Sequence, residues 1–158
     1  MNPRPLGIVC AAGAFALDQA TKEIALRCAA CARDVEVLPF FNLVLVRNDG
    51  VSFGMLGGIA AWWALALLSI IIVAMLLVWL WRSSNRWLNT GLGFIIGGAL
   101  GNTIDRLRHE AVIDFLDFFV GTYHWPAFNL ADVAIFCGAF VVLLDGFRNP
   151  SVVPPEGP

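Results

Sequence analysis

Met55–Trp81, MLGGIAAWWALALLSIIIVAMLLVWLW, is a run of 27 residues without one charged side chain. At a rise of about 1.5 Å per residue it would reach roughly 40 Å as a helix, enough to cross a bilayer hydrocarbon core of about 30 Å. Trp87–Ile104 is a second uncharged run, of 18 residues. Leu6–Leu26 and Ala127–Phe147 are apolar except for isolated acids and one lysine. Hydrophobic residues make up 59% of the 158 and charged residues only 14%, with a mean hydropathy of +0.77. A soluble chain would have to bury all four segments in one small core, so the composition points to an all-α membrane protein with four transmembrane helices.

The expected spans are about 6–26, 57–81, 87–105 and 127–147, in a single domain over 1–149, followed by a Pro-rich, disordered tail over 150–158. The first span begins almost at once and no cleavage-site pattern follows it, so it is expected to be retained. An even number of spans puts both termini and the Arg82–Arg86 turn on one side. The other side receives loops over about 27–57 and 107–126. In the first of these, Leu43–Arg47 and Val51–Met55 flank Asn48-Asp49-Gly50, a hairpin signal. Basic residues do not orient the chain: Arg4, Arg82, Arg86 and Arg148 on the terminal side face six Lys or Arg on the loop side.

The polar residues converge on the loop side. Asp18 and Lys22 are four apart near the end of the first span, on one helix face. Asn102, Asp105 and Arg106 share a face at the end of the third, and Asn129 and Asp132 enter the fourth. Asn48 lies in the first loop, and Asp114 lies in the second within Val-Ile-Asp-Phe-Leu. Ionisable groups at membrane depth face a protein interior, pair with one another, or carry function. Asp18 with Lys22, and Asp105 with Arg106, are open to either reading: structural ion pairs or supports of a site. Asp132, between Ala131 and Val133, has no base beside it in sequence and favours function. Asp114 favours function less strongly, with Asp117 as the alternative acid in its segment. Two carboxylates in close contact hold one proton between them, so one can activate water while the other protonates a carbonyl oxygen. No HExxH or GxSxG competes with that chemistry, and the two histidines, His109 and His124, fall in expected loops. Neither a metal nor a cofactor is expected.

Together, Asp18-Gln19-Ala20-Thr21-Lys22, Asn48-Asp49-Gly50-Val51-Ser52-Phe53-Gly54, Gly101-Asn102-Thr103-Ile104-Asp105-Arg106, Val112-Ile113-Asp114-Phe115 and Phe128-Asn129-Leu130-Ala131-Asp132 resemble the ordered blocks of bacterial lipoprotein signal peptidase, signal peptidase II, from about residue 6 to residue 148. The resemblance implies an aspartic endopeptidase that removes the signal peptide from prolipoproteins, cutting before a diacylglyceryl-modified cysteine. It implies Asp114 and Asp132 as the catalytic dyad. Asn48, Gly50, Phe53, Asn102, Asp105, Arg106 and Asn129 would bind substrate or support the dyad, and Asp18 with Lys22 would brace the site. It further implies a small extracytoplasmic β-platform, and a multi-pass place in the bacterial inner membrane with cytoplasmic termini and the site near the outer face. The implied partners are a lipid-modified prolipoprotein and membrane lipids, with no nucleic acid and a monomeric state. Val133 and Ser52 depart from the family's usual small hydroxyl residue and alanine.

Three other readings remain in view. A proton-coupled carrier would spread polar residues through the bilayer, yet the second and fourth spans carry only Asp145 away from the loop side. A disulfide-generating oxidoreductase would use the Cys28-x-x-Cys31 pair, but needs a second pair, and Cys10 and Cys137 fall inside spans as small buried apolar residues. An assembly protein leaves the aimed carboxylates without a purpose.

Overall fold

A computed structural model describes residues 3–28, 34–50 and 61–148. Among these the chain forms helices α1 (Arg4–Arg27), α2 (Trp62–Arg82), α3 (Arg86–His109) and α4 (Leu130–Arg148). It also forms strands β1 (Val35–Leu38), β2 (Phe41–Asn48), β3 (Val112–Val120) and β4 (Tyr123–His124).

Helix ends fall where the sequence supplies caps. Asn85 opens α3 by accepting from the Trp87 and Leu88 amides at 2.9 and 3.3 Å, a cap worth about 1 kcal/mol. Glu110 closes α3 in the left-handed region, at φ 59°. Asn129 opens α4: its Oδ1 accepts from the Asp132 amide at 3.0 Å, and Asp132 Oδ2 accepts from the Asn129 amide at 3.3 Å. That reciprocal pair is a capping box built from Asn and Asp.

α3 is the central helix, packed on α1, α2 and α4. Its glycines permit this. A Cβ on Gly97 would strike the Ala11 carbonyl of α1, and one on Gly98 the Ala131 carbonyl of α4. Small residues let backbones approach closely where lipid supplies no hydrophobic drive between helices. Val73, Leu80, Leu92 and Ile96 form the apolar core between α2 and α3.

Two helices among the described residues, α2 and α4, are long and apolar enough to cross a membrane. Most of their surface faces outward, with Leu67, Leu68, Ile71, Met75 and Val78 of α2 all exposed. α1 and α3 have 24 residues each. They fall short in apolarity because they carry the buried polar set, among it Asp18, Lys22, Asn102 and Asp105.

The sheet runs β1-β2-β3-β4, antiparallel throughout. One expectation changes here. Asp114 lies in a nine-residue strand, β3, not in a loop. The run Val-Ile-Asp-Phe-Leu-Asp-Phe-Phe-Val is rich in β-branched and aromatic residues, and that outweighs its two acids. β2 pairs with β1 and β3, and the partner expected for it across Asn48-Asp49-Gly50, Val51–Met55, lies outside the described residues. Residues 57–60 of the expected second span and the tail 150–158 lie outside them too. Cys137 is exposed on α4 and Cys10 half-buried, both with free thiols, so neither is the buried residue expected. Cys28 is disulfide-bonded, and Cys31 lies outside the described residues.

Candidate active site

β3 is fixed from three directions. β2 pairs along it, setting Asn48 opposite Val112 and hence diagonal to Asp114. Asp105 of α3 accepts from the Ile113 amide at 3.1 Å. Phe128 bridges Leu116, taking the Phe115 and Leu116 amides at 3.1 and 2.9 Å. That bridge brings Asn129, and with it the start of α4, beside Asp114.

Asp114 is 2% exposed. Its Oδ2 accepts from Asn48 Nδ2 at 3.0 Å and its Oδ1 from Asn129 Nδ2 at 2.6 Å. Asp132, half-buried in the first turn of α4, accepts at Oδ1 from Asn102 Nδ2 at 2.9 Å and at Oδ2 from the Asn129 amide. Asn129 therefore touches both acids, through its side chain to one and its backbone to the other. Its Nδ2 also reaches Asn102 Oδ1 at 3.2 Å. Both acids line one cleft of about 630 Å³. Asn48, Asn102 and Arg106 share its polar wall, and Trp125, Val133, Ile135, Phe136 and Ala139 its apolar one.

Burial pushes the Asp114 carboxyl up to about 6. The Asn48 hydrogen bond opposes this, the Asp132 charge adds to it, and the Asn129 bond and Lys22 charge oppose it again.

Beneath the acids lies an ion cluster. Lys22 Nζ reaches Asp18 Oδ2 at 2.9 Å, Asp105 Oδ2 at 2.8 Å and Asn102 Oδ1 at 2.9 Å, which uses all three of its protons. Asp18 spends its other oxygen on the Ala131 amide of α4, at 2.8 Å. Gln19 ties Asp18 to Asp105, donating at 3.2 and 3.1 Å. The cluster thus joins α1, α3, β3 and α4. The expected Asp18–Lys22 pair is present, but Asp105 pairs with Lys22 and not with Arg106. Arg106 reaches across to the Gly50 carbonyl at 2.9 Å, and Gly50 donates to Asn48 Oδ1 at 3.0 Å. Phe53 lies outside the described residues.

Asp117 is separate from this cleft. Three residues from Asp114 in a strand, it points to the opposite face. It accepts there from Asn42 Nδ2 at 3.1 Å and lies 2.9 Å from His124 Nδ1. His124, in β4, and His109, the last residue of α3, both fall in elements where loops were expected. Sequence reasoning gave Gln19 no role, although an amide beside Asp18 within an apolar run was a signal.

A buried polar set under outward-facing apolar helices defines a membrane protein with one amphipathic cleft. Two solved structures agree, both bacterial membrane enzymes studied by the in meso method. One aligns with a TM-score of 0.82 and 28% identity over 96% of this chain and 93% of its own. The other has a TM-score of 0.78 and 29% identity over 90% and 93%. Residues 10–148 match the family described as Signal peptidase (SPase) II. Similar relatives are the lipoprotein signal peptidases of Vibrio vulnificus (strain CMCP6), 47% identical over 75% of this chain and 73% of the relative, and of Aeromonas hydrophila subsp. hydrophila, 47% identical over 86% and 84%. The chain belongs to the signal peptidase II family.

Proposed function

We propose that this protein removes signal peptides from diacylglyceryl-modified prolipoproteins as an aspartic endopeptidase, with Asp114 and Asp132 as its acids. The observation that carries the reading is the pair's setting: two acidic side chains tied through Asn129 at the polar wall of a half-apolar cleft. Names of relatives supply the substrate class.

In this reading Asp114 holds the shared proton, because it is the more deeply buried and its carboxyl is raised. Asp132 is the base of the pair. A water between them loses a proton to Asp132 as its oxygen attacks the scissile carbonyl carbon. Asp114 gives its proton to the carbonyl oxygen, which forms a neutral diol. Asp132 then protonates the leaving nitrogen as the C–N bond breaks, and Asp114 regains a proton from one diol hydroxyl. The products are a carboxylic acid and an amine, and both acids return to their starting states. Asn48, Asn102 and Asn129 orient the acids, while Gly50, Phe53 and Arg106 shape the approach of the peptide. Asp105, Asp18 and Lys22 brace the floor.

The apolar wall suits the lipid. An acyl chain stabilises membrane residence by about 0.8 kcal/mol per buried methylene, so the substrate must be cut without leaving the bilayer. Val133, Phe136 and Ala139 on α4 open the cleft towards that phase. All four helices cross in this reading, as one domain over 1–149. α1 and α3 tolerate their polar residues because those are enclosed. The termini are cytoplasmic, the sheet and the cleft lie near the outer face of the inner membrane, and the chain acts as a monomer.

The test is cleavage of a precursor with and without its diacylglyceryl group, the product bond located by mass spectrometry. The reading expects rapid cleavage before the lipidated cysteine and a rate at least about a hundredfold lower for the unlipidated precursor, from lost binding at the apolar wall. Equal rates for the two would overturn it.

A further inference from the structure

At the end of the bundle opposite the two acids, four arginines gather round one turn. Arg4 of α1 lies 5.7 Å over the Trp81 ring of α2, and Arg148 of α4 lies 5.9 Å over the Trp87 ring of α3. Arg82 and Arg86 stand next to those two indoles in sequence. Arg82, Arg86, Trp81 and Trp87 are all exposed. Among the described residues this end holds one acid, Asp145, which is buried and takes Asn85 Nδ2 on both oxygens at 2.8 and 2.7 Å. Among the described residues, four arginines against that one acid leave three positive charges in excess. The proposed chemistry uses none of them: Arg86 and Asn102 are about 24 Å apart along α3.

The basic residues at the other end differ. Lys22 is enclosed by two carboxylates, Arg27 pairs with Glu23 at 2.7 Å, and Arg106 is spent on the Gly50 carbonyl, while Arg47 and Arg108 are exposed but have no tryptophan beside them in sequence. Among the described residues, the turn between α2 and α3 is where two exposed arginines, Arg82 and Arg86, each stand next to an exposed indole.

We propose that this end is a binding surface for anionic phospholipid, with Arg82 and Arg86 taking the headgroup phosphate. The occupant follows from three features. Guanidinium forks match phosphate oxygens. Tryptophan settles at the level of head groups. The exposed apolar flank of α2 continues from the arginines into the acyl region, so a lipid meets both halves of the surface while a soluble phosphate meets one. Arg4 and Arg148, held over indole faces, add positive field on either side.

The proposal needs the membrane setting but not the peptidase reading, and its test does not involve cleavage. Full-length protein in detergent is mixed with equal amounts of phosphatidylglycerol and phosphatidylcholine, and retained lipids are counted by native mass spectrometry. Wild type should retain phosphatidylglycerol in preference. Arg82→Gln with Arg86→Gln should lose that preference by about fivefold per arginine removed. Arg47→Gln with Arg108→Gln, at the other end, should keep it. Equal retention of the two lipids by wild type overturns the proposal whatever the variants do. So does an equal loss in both pairs of variants, or displacement of the lipid by inorganic phosphate.

Discussion

Asp114 and Asp117 lie three residues apart with the same side chain, and β3 sends them to opposite faces. Asp117 meets Asn42 and His124, while Asp114 meets Asn48, Asn129 and the cleft. Sequence alone favoured Asp114 but had no strand with which to separate the two. The environment of Asp114 makes a signed prediction. Its carboxyl is raised to about 6 by burial, and the Asn48 bond holds it down from a higher value. Cleavage in this account needs the Asp114 proton, so the rate falls as pH rises through that value. Asn48→Ala removes a donor that favours the ionised form. The carboxyl then moves up, the proton is kept to higher pH, and the alkaline arm of the kcat/KM profile shifts upward by roughly half a unit to one unit. An arm that stays put or moves down would show that Asn48 does not act through Asp114.

The elements are held at the site by one cation. Lys22 of α1 neutralises Asp18 and Asp105, which in turn take amides from α4 and β3. Replacing it with methionine strands two buried carboxylates, at a cost of about 3–5 kcal/mol. Lys22→Met should therefore lower the melting temperature of the detergent-solubilised protein by several degrees and reduce cleavage with it. A melting curve matching wild type would mean the acids find other partners. This brace was half legible. The i, i+4 spacing of Asp18 and Lys22 gave their pair, but the partner of Asp105 lay across the bundle, where spacing along α3 pointed to Arg106. Strand β3 was missed because its apolar run is interrupted by two acids, Asp114 and Asp117, each buried on a different face. A hydrophobicity pattern reads such a strand as a loop, and its backbone partners come from β2, β4 and the Phe128 bridge.

At the scale of the whole molecule, the four helices were readable as apolar runs, two of them uncharged. What the runs could not give is the difference between α2 and α4, which face outward, and α3, which is enclosed by its neighbours. That difference comes from glycines that bring backbones together and from polar residues that must then be satisfied inside. The result is a bundle with an amphipathic cleft at one end and a basic, indole-flanked turn at the other.

Cleavage of a diacylglyceryl precursor by Asp114→Asn, Asp132→Asn and Asp117→Asn, measured as initial rates beside wild type in protein of unchanged melting temperature, tests the account most directly. The first two variants should fall by about a thousandfold or more, and Asp117→Asn should keep most of its activity. An active Asp114→Asn beside an inactive Asp117→Asn would contradict it.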